Sequence, residues 1–268
     1  MDEEARRLAV LIDAENAQLA ILPELLAEIA KIGSATVKRV YGDFTNPALA
    51  SWREPLLAHS ILPIQQFRNT VHKNASDSAL IIDAMDLMHS GKFEGFCIVS
   101  SDSDFTRLAS RIREEGLLVY GFGEHKTPTS FIAACDKFTY TEVLRKPGDD
   151  QQHLAPAPKD LFGNDNLLRR QLVDAVESCA DESGWASLAA VGNVIANHVP
   201  DFDPRHYGFK KLSDLARAME QYEFKRQGEE GAMTISLKLK ADTSRTPNDL
   251  AAAVSYGTPS LSKEGANT

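Results

Sequence analysis

The chain has few of the residues that mark extracellular, membrane or zinc-binding proteins. Its 268 residues include only three cysteines, and an odd number of isolated cysteines argues against both a disulfide framework and a Cys-x-x-Cys metal site. Apolar runs stay well below the roughly 18 residues of a membrane-spanning helix. The first residues are acidic, which is the opposite of a signal peptide. We therefore expect a cytoplasmic protein.

Two nucleotide-binding fingerprints are also missing. No G-x-G-x-x-G motif follows the first apolar run, which disfavours a dinucleotide site. The glycines near residues 121–127 are wrongly spaced for a P-loop, which disfavours Walker-type ATP binding. Nucleotide cofactors therefore have no support in the sequence.

Positive charge is scarce as well. The chain has 29 basic and 38 acidic residues, a net charge of −9, whereas nucleic-acid-binding proteins usually present a basic face. Residues 1–145 hold 15 basic and 20 acidic side chains, and residues 166–240 hold 10 and 11. The deficit therefore lies mainly in the first part, where it is compatible with a site that binds a cation.

Composition divides the chain into two predicted folded units. Hydrophobic residues make up 43% of the chain and charged residues 25%, as in globular proteins. Residues 146–165 are rich in Pro, Gly, Asp and Gln and predict a flexible linker, and residues 241–268 predict a disordered tail. The folded units are then residues 5–145 and 166–240.

The first unit alternates predicted strands with predicted helices. Strands are expected at 8–12, 35–41, 62–67, 96–99 and 117–121, with helices at 19–31, 52–59, 76–89, 104–115 and 130–135. This alternation predicts an α/β fold with a parallel sheet and crossover helices. Ligands of such sheets bind at the carboxyl ends of the strands, where the strand order reverses.

Acidic residues gather at this predicted edge. Asp13 follows the first strand, Asp102 and Asp104 follow the fourth, and Asp77 begins a helix. The alternative for any one of them is a helix cap or a first-turn acid, and for Asp77 and Asp104 taken singly this alternative has equal weight. Together they would repel one another unless a cation neutralised them, and hard oxygen ligands favour Mg²⁺ or Mn²⁺. The cluster therefore predicts a metal-dependent site that cleaves phosphodiester bonds.

Three motifs carry these acids: Ile12-Asp13-Ala14-Glu15-Asn16, the spacing from Lys73 to Asp77, and Ser100-Ser101-Asp102-Ser103-Asp104-Phe105. In this order they resemble the NYN family of PIN-like nucleases, of the LabA type, over residues 7–144. The resemblance implies that Asp13, Asp77, Asp102 and Asp104 are catalytic residues around a Mg²⁺ or Mn²⁺ ion. It also implies that Asn16 holds the substrate or a metal-bound water. Arg68 and Lys73, in a polar loop, are candidate RNA contacts.

Two other acids are expected to have supporting roles. Asp83 lies six residues after Asp77, about 240° around a helix, so the two do not share a face. Asp136 is expected to hold the last loop of the first unit in place. Neither is predicted as a metal ligand.

The second unit combines three predicted helices with a predicted hairpin. Helices at 167–180, 188–198 and 212–219, then a hairpin of 224–227 and 233–239, form a winged-helix pattern. Together with Gly184-Trp185, Val191-Gly192, Phe202-Asp203-Pro204-Arg205 and Tyr207-Gly208, this pattern resembles an OST-HTH/LOTUS domain. The resemblance implies RNA binding, with a protein partner as the alternative. The predicted phosphate contacts are Arg205, His206, Lys210 and Lys211, and the alternative for this cluster is a solvated loop and helix start.

These expectations combine into a metal-dependent ribonuclease, expected to be an endonuclease, with an RNA-binding domain. The alternative is an RNA-binding or regulatory adaptor whose acidic pocket has lost turnover. The presence of all four acids favours catalysis. A Toprim arrangement would share the Mg²⁺ chemistry, but it leaves Asp13 and Asp77 unexplained.

Overall fold

The computed structural model describes residues 5–67, 75–145, 166–227 and 234–240. The predicted linker at 146–165 and the predicted tail at 241–268 lie outside these ranges, and so do Arg68 and Lys73. Among the described helices, none combines the length and apolarity needed to cross a membrane.

The first part of the chain forms a six-stranded parallel sheet in the order β3-β2-β1-β4-β5-β6. Its strands are β1 (Arg7–Asp13), β2 (Ser34–Gly42), β3 (Leu62–Gln65), β4 (Gly95–Val99), β5 (Leu118–Gly123) and β6 (Lys137–Tyr140). The predicted parallel α/β fold is confirmed. The chain moves outward from β1 to β3 and then returns to β4, so the strand order reverses between β1 and β4.

Five helices cover the two faces of this sheet. They are α1 (Leu22–Ala30), α2 (Arg53–Ala58), α3 (Ala75–His89), α4 (Thr106–Glu114) and α5 (Thr129–Ala134). In β1, Val10 and Ile12 pack with α1 and α2, while Ala9 and Leu11 pack with α3, α4 and α5. Residues 8–13 are buried throughout because helices cover both faces, which is why β1 is a continuous apolar run that ends in Asp13.

The second part has its own core and a winged-helix fold. Helices α6 (Asn166–Cys179), α7 (Leu188–His198) and α8 (Leu212–Ala218) pack on a small antiparallel sheet in the order β7-β9-β8. Its strands are β7 (Ala186–Ser187), β8 (Tyr222–Gln227) and β9 (Thr234–Leu239). The core includes Leu172, Val191, Leu215 and Leu237. The predicted helices and hairpin are confirmed, and β7 is an addition.

Candidate active site

Three carboxylates converge beside the point where the strand order reverses. Asp77, Asp102 and Asp104 each offer an oxygen that lies within 4.8 Å of the other two. Asp77 is in the first turn of α3, and the other two follow β4. We call these three residues the carboxylate trio. Hard oxygen ligands at this spacing suit Mg²⁺ or Mn²⁺.

Asp102 also serves as a helix cap. Its Oδ1 accepts a hydrogen bond of 2.9 Å from the backbone N–H of Asp104, at the start of a 3₁₀ turn formed by Ser103–Phe105. This bond orients the Asp102 side chain and turns the chain so that Asp104 follows on the same edge. The capping role and the site role, which the sequence left as alternatives, are therefore compatible.

Asp13 lies outside the carboxylate trio, and three hydrogen-bond donors hold its side chain in place. Its side chain accepts hydrogen bonds from the Glu15 backbone N–H (3.0 Å), the Asn16 amide (2.7 Å) and the Ser100 hydroxyl (2.8 Å). Asp13 is only 1% exposed. Burial raises its pKa, and the hydrogen bonds from Asn16, Ser100 and Glu15 oppose that rise. The structure thus brings the Asn16 amide to Asp13, while the role expected of Asn16, holding the substrate or a metal-bound water, stays a prediction.

The pKa of Asp77 is raised from 3.8 to about 6. Burial is the largest cause, and the negative charges of Asp13, Asp102, Glu15 and Asp104 follow in that order. Repulsion of this kind is what a bound divalent cation would relieve. The residues present therefore fit a Mg²⁺ or Mn²⁺ ion, and Asp13 makes the largest charge contribution to the raised pKa of Asp77.

Two serines to which the sequence analysis assigned no role connect the loops of the site by hydrogen bonds. The Ser100 hydroxyl donates to Asp13 and accepts from the Asp102 backbone N–H at 3.1 Å. The Ser101 hydroxyl accepts from the Glu124 backbone N–H at 2.9 Å, which joins the loop after β4 to the loop after β5. The sequence signal for these roles is the motif shared with the NYN family, in which Ser100 and Ser101 come before Asp102.

Gly123 at the end of β5 is required by close packing at the same edge. A Cβ at this position would lie 2.6 Å from the Ser100 carbonyl oxygen and 2.6 Å from the Thr127 hydroxyl. The absence of a side chain there lets β5 approach the site loop closely.

The supporting acids lie away from the trio, as expected. Asp83 forms an ion pair with Arg39 (2.7 Å) and accepts a hydrogen bond of 2.9 Å from the Tyr41 hydroxyl. Asp136 accepts from the Val119 backbone N–H at 2.8 Å and pairs with an arginine, so it anchors the segment that precedes β6.

The predicted RNA contacts of the second part differ in their surroundings. Lys210 and Lys211 are exposed. Arg205 is not: its guanidinium is bound by Asp203 and by Glu28 of α1. Arg68 and Lys73 lie outside the described residues.

Solved structures similar to this chain come from three bacteria. A protein of unknown function from Vibrio parahaemolyticus is 16% identical, with a TM-score of 0.44 over 52% of this chain and 94% of its own. An uncharacterized protein from Nitrosomonas europaea is 30% identical, with a TM-score of 0.28 over 38% of this chain and 95% of its own. A segment of a protein from Chromobacterium violaceum is 29% identical, with a TM-score of 0.25 over 30% and 87%. None of these likenesses bears on function.

Two protein families match the chain. The NYN domain matches residues 7–143, and the OST-HTH/LOTUS domain matches residues 165–233. A search of curated proteins finds no significant match. An NYN domain implies nuclease-type activity, and an OST-HTH/LOTUS domain is associated with RNA binding. The chain belongs to the NYN family and carries an OST-HTH/LOTUS domain after its NYN domain.

Proposed function

We propose that this protein is a ribonuclease that holds a Mg²⁺ or Mn²⁺ ion on Asp77, Asp102 and Asp104, beside Asp13. The observation that carries the proposal is the convergence of the carboxylate trio at the reversal of strand order. The raised pKa of Asp77, caused first by burial and then by the neighbouring negative charges, supports the proposal, because a bound cation would offset both.

The chain's own residues would prepare the site for an RNA phosphodiester. Such an ion, when bound, polarises a phosphoryl oxygen and lowers the pKa of a bound water. Asp102 is oriented by the backbone N–H that it caps. Asp13 fixes the Asn16 amide through a hydrogen bond of 2.7 Å, which holds this side chain in one orientation at the edge of the site. Preorganised groups of this kind cost no rearrangement during reaction.

The second domain would supply RNA affinity. Lys210 and Lys211 are exposed just before α8, where their charges can meet phosphates. Because the Arg205 guanidinium is already bound by two carboxylates, we assign the phosphate contact of this region to the two lysines.

Metal-dependent cleavage of a labelled RNA panel by the full chain tests the proposal. We expect cleavage with Mn²⁺ or Mg²⁺, none with EDTA, and a loss of at least about 100-fold in Asp102→Asn, since even outer partners of metal ligands contribute 10–100-fold. Asp86→Asn, an exposed acid on α3, is the matched control and should cleave normally.

The adaptor alternative has a different outcome in the same experiment. An adaptor would bind the RNA panel with the wild-type chain and leave it intact under every metal condition. Cleavage that Asp102→Asn retains would also refute the assignment of the site, because the activity would then come from elsewhere.

A further inference from the structure

The second domain contacts β6, an edge strand of the large sheet. β6 is the last strand in the sheet order, and an uncovered edge strand presents unpaired backbone groups. Here the backbone N–H of Phe138 in β6 donates to the Pro200 carbonyl at 2.7 Å. The Tyr140 hydroxyl, also in β6, donates to Asp201 at 2.7 Å. The segment after α7 therefore lies along β6.

An ion pair joins the same segment to α1. The Arg205 guanidinium donates to both carboxylate oxygens of Glu28, at 2.9 and 3.1 Å, and it also binds Asp203. Glu28 is 9% exposed. Burial alone would raise its pKa, but the bonds to Arg205 and Lys31 outweigh burial and lower it to about 2. Two-pronged arginine–carboxylate pairs are strong and impose a geometry, so this contact sets an orientation as well as adding stability.

A third contact reaches the loops of the candidate site. The His206 ring lies 4.5 Å from the His125 ring and 5.2 Å from the Tyr140 ring, between ring centres. His125 follows Glu124, whose backbone N–H donates to Ser101. His125, which makes the domain contact, is therefore next in sequence to Glu124, whose backbone holds the loop of the trio.

These contacts lie on three different elements of the first domain: α1, β6 and the loop after β5. A rigid body held at three separated points cannot turn freely, whereas two domains joined only by a chain segment can. We propose that residues 199–207 are a docking segment anchored by Arg205, which fixes the winged helix against the NYN domain so that bound RNA reaches the carboxylate trio at a set distance. The last part rests on the proposed ribonuclease activity; the docking itself does not.

A docked second domain and a freely moving one predict different lengths of RNA product. With a docked second domain, an RNA held by the winged helix is cut within a narrow range of positions. With a freely moving second domain, the same RNA would be cut over a wide range, because the separation of the two domains would vary. Product lengths therefore report the docking.

A charge swap in the full chain tests the inference. Arg205→Glu and Glu28→Arg each place like charges together at a mostly buried contact, so we expect each to lower the unfolding temperature by about 5–10 °C. Small-angle X-ray scattering should show a larger radius of gyration for both single variants, and end-labelled RNA should give a wider range of products. The double variant should recover these properties in part, because it restores an opposite-charge pair between positions 28 and 205, while the new carboxylate still lies beside Asp203 and the new guanidinium beside Lys31. Arg170→Glu, an exposed change of the same charge in α6, is the control and should resemble the wild type.

Several results would overturn the inference. Unchanged scattering in both single variants would show that Arg205 does not anchor the domain. Changed scattering with unchanged product lengths would refute the set distance. If a swapped variant fails to fold, Arg205→Lys keeps the charge, loses the two-pronged geometry, and should loosen the domain partially. If the wild type cleaves no RNA, the ribonuclease proposal fails while scattering still decides the docking.

Discussion

Removing the charge of Asp77 should stabilise the protein when no metal is present. The folded state holds the Asp77 proton more tightly than the unfolded state, since its pKa is raised from 3.8 to about 6. Ionising this group therefore lowers the free energy of unfolding as the pH rises from about 4 to about 6, and the whole cost is present above pH 6. Asp77→Asn removes that cost.

The size of the effect follows from the shift in pKa. About two units at ~1.36 kcal/mol each give an upper limit of about 3 kcal/mol. The carboxylate is partly solvated, and its place in the first turn of α3 favours a negative charge by about 0.3–1 kcal/mol. We therefore expect Asp77→Asn to raise the free energy of unfolding by about 1–2 kcal/mol at pH 8 in EDTA, and to change it little at pH 4.

Urea unfolding at pH 4 and pH 8, with EDTA or with Mn²⁺, measures the change in the free energy of unfolding that Asp77→Asn causes. Mn²⁺ at 100 times its dissociation constant should stabilise the wild type by about 2.7 kcal/mol, and the variant by clearly less. Asp86→Asn, on the exposed side of the same helix, is the control for loss of a carboxylate charge outside the trio. Equal effects of Asp77→Asn at the two pH values, or equal Mn²⁺ stabilisation in variant and wild type, would refute the reasoning.

Three further predictions follow from named contacts. Ser100→Ala removes a donor to Asp13, so we expect RNA cleavage to fall by about 10–100-fold in steady-state assays with little loss of folding. Gly123→Ala places a Cβ 2.6 Å from the Ser100 carbonyl and should cost about 1–3 kcal/mol in urea unfolding, whereas Gly192→Ala within α7, where the new Cβ would lie 3.3 Å from a methyl carbon at the end of the Leu212 side chain, should cost clearly less. Glu28, with its pKa lowered from 4.5 to about 2, contributes stability above pH 4.5 that is lost as the pH falls through about 2, so Glu28→Gln should flatten acid unfolding in that window.

The alternation of strands and helices could be predicted because its causes are local. A strand buried on both faces must be a short apolar run, and a helix must place apolar residues every three to four positions. β1 and β4 are such runs, so the acids that follow them could be placed at one edge of the sheet. The family motifs then grouped Asp77 with them, although this residue lies on a helix between the strands. The predicted parallel sheet and winged helix are confirmed.

Short strands escaped the sequence analysis because they carry too little pattern. β6 has four residues and β7 has two, and both exist because a neighbouring strand offers hydrogen bonds. The same limit applies to Arg205, which reads as a basic residue in a polar loop. Its partner Glu28 lies 177 residues earlier, so local spacing could not reveal the pair.

The sequence by itself determined which residues are acidic, which strands are buried and which motifs the two domains carry. Only the tertiary structure decided which of the four acids form a trio, that Asp13 is held by a serine 87 residues away, and that the second domain meets β6. The physical reason is the distance along the chain between the residues that interact. Strand and helix patterns arise from neighbours a few positions apart, whereas carboxylate spacing and domain contacts depend on how distant loops pack together at one edge of the sheet.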